Sequence, residues 1–129
     1  MANRVIDDRI VVANTVTKLG PECKGRVVLG ASHGGVYAAY LTVKAKARGV
    51  ILNDAGRAKD DSGISGGPYC QDLGIPYATT DTMSCRIGDG ESAVDEGVIS
   101  FANPLALSLG VTLGMPAIDA ALCMTKAAL

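Results

Sequence analysis

The chain has 129 residues, of which 48% are apolar and 19% charged, with a formal net charge of -1. This describes one globular domain spanning residues 1–129 and excludes a disordered chain. Lys44, Lys46 and Arg48 form the densest basic patch, read as the solvated face of a helix, so no nucleic-acid partner is expected.

No apolar run reaches membrane-spanning length, and the start MANRVIDDR lacks a positive-then-apolar leader pattern. No membrane partner is expected, and the cytoplasm is the expected compartment. Aromatic residues make up 4%, Trp is absent and Gly reaches 16. The core must therefore be built of Val, Ile, Leu and Ala, and such a small-residue core favours subunit association, so a homo-oligomer is expected. Cys23, Cys70, Cys85 and Cys123 form no C-x-x-C pair and His33 is the sole histidine, so neither a metal nor a cofactor is expected.

In chain order, residues 7–19 carry two patterns. Val12, Val16 and Leu19 share a helical face before a Gly20-Pro21 stop, while Ile10, Val12, Asn14 and Val16 alternate as a strand would. The stop signal favours helix. Arg26–Gly30 reads as a buried strand. Val36, Ala39, Tyr40, Val43 and Ala47 then form an apolar stripe of helical period, closed by Gly49, and Val50–Asn53 is the second strand.

The segment 54–67, DAGRAKDDSGISGG, predicts a loop long enough to be functional or mobile. A short helix over Tyr69–Leu73 and a strand over Ile75–Thr79 follow, leading into the polar stretch Thr80–Gly90. Ser92 with Asp95 or Glu96 marks a helix start, and Val98–Ser100 a short strand or helix end. Asn103-Pro104 forms a cap-and-first-turn pair for a short helix closed by Gly110. A last helix begins at Pro116, with Ile118, Ala121, Leu122, Thr125 and Leu129 on one face. The expected fold is α/β, a small parallel sheet of three or four strands with helices on both faces.

Strand, helix and strand over Arg26–Gly56 have the grammar of a βαβ unit, which places the polar clusters after each strand at the sheet's carboxyl edge. Three such clusters gather small, polar and ionisable residues. The first is Ser32, His33, Gly34 and Gly35, where His33 suits proton transfer or surface capping. The second is Asn53 and Asp54, where the carboxylate can orient His33, act as a base, bind a ligand, or simply close an Asx turn.

The third cluster holds Asp81, Ser84, Cys85, Arg86 and Asp89. Arg86 suits a substrate carboxylate or phosphate, or a structural pair with Asp81 or Asp89. Cys85 beside Arg86 reads as a lowered-pKa thiol or, more commonly, a buried inert one.

Gly30-Ala31-Ser32-His33-Gly34 fits G-x-S-x-G, and with the following RGVILND the segment from Arg26 to about Asp54 resembles the nucleophile-elbow region of the α/β-hydrolase family. The resemblance implies Ser32 as nucleophile and the backbone N–H of His33 as part of an oxyanion hole. The family also places a histidine late in the chain, and none follows His33 here. A glycine-rich turn that packs the chain or cradles an anion is the alternative reading.

Together these features lead to an expected small enzyme acting on a polar, anionic small molecule by hydrolysis or acid/base-assisted cleavage. Ser32, His33 and Asp54 would be catalytic, and Gly34, Gly35, Asn53, Asp81, Ser84, Arg86 and Asp89 would bind the substrate. The alternatives are a non-catalytic module for an anionic or phosphate-bearing ligand, and one subunit of a larger assembly.

Overall fold

Four short runs rich in β-branched and small residues build the centre of the molecule. The structure is a computed structural model and describes residues 3–127. Among these, β1 (Arg4–Ile6), β2 (Ile10–Ala13), β3 (Val27–His33), β4 (Gly49–Asn53), β5 (Tyr77–Thr80) and β6 (Ile99–Ala102) form one sheet in that order. Strands β2 to β5 are parallel, and β1 and β6 flank them antiparallel. The helices are α1 (Val36–Lys44), α2 (Gly66–Asp72), α3 (Gly90–Glu96), α4 (Pro104–Ser108) and α5 (Ala117–Met124).

Side chains alternate between the sheet's faces with period two, and both faces are covered, so β2 and β4 are buried throughout and the first five residues of β3 are too. Ile10, Val27, Leu29, Ile51 and Ala78 pack with Ala93 of α3 and Ala117, Ala120, Ala121 and Met124 of α5. Their neighbours Val11, Val28, Val50, Leu52 and Tyr77 pack on the other face with Ala39 of α1 and Cys70 of α2. The α/β class and the helices on both faces agree with the sequence reading.

Several finer expectations need correction. The sheet is a six-stranded mixed one, larger than the three or four parallel strands expected, because short antiparallel strands extend both edges of the parallel core. The favoured helix over 7–19 is instead β2 followed by a 3-10 turn, Val16–Lys18. The run Ile10-Val11-Val12 reads as a strand buried on both faces, paired with Val27–Leu29, and the 3.6-period match of Val12, Val16 and Leu19 is coincidental.

The segment 54–67 is not all loop: a kinked 3-10 segment covers Lys59–Ile64 and α2 begins at Gly66. Along α1 the side chains turned inward are Ala39 and Thr42, whereas Val36 and Tyr40 are 45% and 43% exposed. Thr42 is accommodated because its hydroxyl donates to the Ala39 carbonyl at 2.6 Å. Leu129, expected on the inner face of the last helix, lies outside the described residues. Among those residues, no helix is long and apolar enough to cross a membrane.

Candidate functional site at the strand ends

Because β2 to β5 run parallel, their carboxyl ends share one edge, and the polar residues after each strand gather there. Strand β3 continues through Ser32 to His33, whose Cα pairs with that of Asn53 across an irregularity in the β3–β4 ladder. Gly34 and Gly35 make the turn into α1. Gly34 is required there, since a Cβ would stand 2.2 Å from the Gly63 carbonyl oxygen and 2.5 Å from the Tyr77 hydroxyl. The Gly34 N–H donates to the Asn53 carbonyl at 2.8 Å, and its own carbonyl accepts from the Gly66 N–H and the Tyr77 hydroxyl. Burial of Tyr77 raises its phenol pKa well above the ordinary value, so it stays a donor.

Most of the expected site side chains serve backbone groups. The Ser32 hydroxyl, half-buried, accepts from the Val16 N–H at 3.0 Å, on the flank of the β2–β3 crossover. Asp54 is 5% exposed and its Oδ1 accepts from Gly56 N–H at 2.8 Å and Thr82 N–H at 3.0 Å, which ties the two following loops together. Asn53 Oδ1 accepts from Ala55 N–H at 2.8 Å. Asp81 Oδ1 accepts from Met83 N–H at 2.8 Å. The Ser84 hydroxyl donates to the Asp81 carbonyl at 2.6 Å and accepts from Val98 N–H at 3.1 Å.

Arg86 is exposed and its Nε lies 3.3 Å from Asp89 Oδ2. Asp89 caps α3 by accepting from Ser92 N–H at 3.1 Å, and that bond, with Arg86 adding to it, holds its carboxyl below the usual range. Cys85 is buried at 8% exposure, with Asn53 Nδ2 3.9 Å from its sulfur. Cys23 and Cys70 are fully buried, and desolvation pushes their thiols up to about 11 and about 12.

His33 is exposed, and its Nδ1 accepts from Gly35 N–H at 3.1 Å. That acceptor role places the neutral ring's proton on Nε2. The arrangement thus brings His33 beside Asn53 in the sheet and Asp54 against Thr82. It gives His33 and Asp54 separate hydrogen-bond partners, and it turns the Ser32 hydroxyl toward Val16.

A concavity on this edge lies one strand over. A cleft of 720 Å³ opens at the carboxyl end of β2, between Asn14, Thr15 and Lys18 on one side and Gly88, Asp89 and Glu91 on the other. Its size is that of a small-molecule site. Asn14 braces it, with Oδ1 accepting from Gly90 N–H at 2.8 Å. Arg4 lines the cleft and donates to Glu91 through two bonds of 2.8 and 2.6 Å, which lower the Glu91 carboxyl and raise the Arg4 guanidinium.

The five ion pairs among the described residues all use arginine, so Lys18 has no carboxylate partner among them. A helical reading of 7–19 hides Asn14, Thr15 and Lys18, because it places them on no strand end. The signal was present: IVVANT has the same form as VVLGASH and VILND, an apolar run broken by small polar residues.

Fold and site together define an α/β protein with a mixed sheet and a polar cleft at the carboxyl ends of its parallel strands. No family model, curated protein or solved structure matches the chain. Among the described residues, no group of three or more His, Cys, Asp or Glu side chains is placed to hold a metal ion.

Proposed function

We propose that the protein binds a small polar anion in the cleft at the carboxyl end of β2. The observation that carries this reading is the charge balance of the cleft. Arg4 is bound by Glu91 and Asp89 by Arg86, so the Lys18 ammonium is the charge left for a ligand, beside the amide of Asn14. Calorimetric titration with inorganic phosphate and with succinate tests it. Lys18→Gln should weaken the better ligand about tenfold, the equivalent of one charge-assisted hydrogen bond. Equal affinity of wild type and variant, or no binding of either anion, would remove the cleft from consideration.

A hydrolytic activity is the second reading, favoured by one bond. The Val16 N–H donated to the Ser32 oxygen stabilises negative charge there, as a nucleophile needs. Intact-mass measurement after exposure to a fluorophosphonate decides it. An adduct on wild type but not on Ser32→Ala supports an activated serine, whereas no adduct on either leaves binding as the function.

A further inference from the structure

Parallel neighbours need a crossover, and the usual crossover lays a helix across the sheet. The β3–β4 and β4–β5 connections do so with α1 and α2. The β2–β3 connection instead uses two three-residue 3-10 turns, Val16–Lys18 and Pro21–Cys23, on the same face. Between these turns and α1 lies an open groove of 570 Å³.

Val16, Leu19, Leu41 and Ala45 supply its apolar lining, and Lys24, Lys44 and Lys46 its charge. No acidic side chain lines it, and none of the three lysines has an ion-pair partner among the described residues. The outward flank of α1 prolongs the apolar surface. Tyr37 and Tyr40, one turn before Leu41 and Lys44, are 70% and 43% exposed, with ring centroids 6.3 Å apart.

We infer that this groove docks an acidic amphipathic helix of a partner protein. A helix lying along the groove would place apolar side chains at i, i+3, i+4 and i+7 on the lining, with most of its outer surface left to solvent. Carboxylates flanking that stripe meet three ammonium groups, while the net charge of -1 of the whole chain gives no general attraction for anions. The apolar lining favours a peptide over a nucleic acid, whose backbone would leave Leu19 and Leu41 uncovered. The inference is independent of the anion cleft, which takes its lining from the other side of the Val16–Lys18 turn.

The test is fluorescence anisotropy of the full chain with a labelled peptide of about four helical turns, Leu on one face and Glu on the other. Saturable binding is expected, at least about tenfold weaker in Lys24→Glu/Lys44→Glu and weakened between about 50 and about 300 mM salt. Amide shifts on binding should fall on Val16, Leu19, Leu41 and Ala45.

Four outcomes overturn the proposal. One is no saturation by about 100 μM peptide, and another is equal binding of a scrambled peptide without an apolar face. The third is shifts confined to the Lys18 cleft, and the fourth is tighter binding of an oligothymidine with the same lysine dependence. Both lysines are exposed, so the double variant is expected to fold as wild type does.

Discussion

Two loops at the carboxyl edge of the sheet are held by different balances of side-chain and backbone ties. The loop after β5, residues 81–89, is tied by side chains: Asp81, Ser84 and Asp89 each accept or donate to nearby backbone, and Ser92 Oγ accepts from Arg86 N–H at 2.9 Å. The loop after β4, residues 54–65, has side-chain ties at Asn53, Asp54 and Ser65, and adds to them a run of backbone fitted in an unusual conformation. Ala55, Arg57, Ala58, Asp60 and Asp61 all have positive φ, and Gly63 N–H donates to the Arg57 carbonyl at 2.9 Å.

Side-chain ties tolerate substitution one at a time, each worth about 1 kcal/mol. A backbone-fitted loop concentrates its dependence on a few positions where nothing larger fits. The two loops should therefore respond differently to the same kind of change.

The largest difference is expected at Gly63. A Cβ there would stand 1.8 Å from the Asp54 carbonyl oxygen and 3.1 Å from the Arg57 Cα, both backbone atoms that no rotamer can move. Gly63→Ala should cost at least about 3 kcal/mol in denaturant unfolding, with loss of the loop's amide protection. Gly88, with φ of +83° and open space around it, should lose less as Gly88→Ala, about 1 kcal/mol from backbone strain alone. A Gly63→Ala variant no weaker than Gly88→Ala would dissolve the contrast between the loops.

Asp54 joins the loops, so it is the next largest. Asp54→Ala leaves the Gly56 and Thr82 N–H groups without their acceptor and should cost about 2 kcal/mol. Asp54→Asn keeps an oxygen at the same place and should recover more than half of that. If Asn proves as damaging as Ala, the charge rather than the turn is what matters, and the role of Asp54 as a partner for His33 regains weight.

The sequence showed some of this plainly. The runs VVLGASH and GVILND announced parallel strands because apolar residues filled both faces and small polar ones followed, which put His33, Asn53 and Asp54 on one edge. What it hid follows from how those signals work. Helical period over 7–19 imitated a stop-bounded helix because three apolar residues suffice to match it, so β2 and the residues of the Lys18 cleft were displaced.

Positive φ at Ala55 or Arg57 has no signature in residue type, since neither favours that region. Gly34 could be read as a tight turn, but the hydrogen bonds to its carbonyl from Gly66 and Tyr77 depend on chain segments distant in sequence. Tyr40 matched the inner stripe of α1 by spacing, yet it is 43% exposed, and the fully buried positions of α1 are Ala39 and Thr42.

Ala58 sharpens the comparison with a change of opposite sign. Its φ of 55° with ψ of -170° is a combination that glycine adopts almost alone. Ala58→Gly should stabilise the protein by about 1 kcal/mol, strain relief exceeding the entropy that glycine adds to the unfolded chain. The same unfolding measurement checks it, and a destabilised variant would mean that the Ala58 methyl makes contacts outweighing the strain.

The smallest effect belongs to the other loop and depends on pH. Asp89 has a depressed folded-state pKa, chiefly because it accepts from Ser92 N–H, with Arg86 adding to it. A group whose pKa falls on folding adds stability that is fully present above its unfolded pKa and is lost as the pH drops through its folded value. Wild type should therefore lose stability in that acid window more steeply than Asp89→Asn, which keeps the helix cap but cannot titrate. The two curves should differ in slope only below the ordinary carboxylate range and run parallel above it. The loop after β4, which has no part in that cap, should keep its amide protection through the same window.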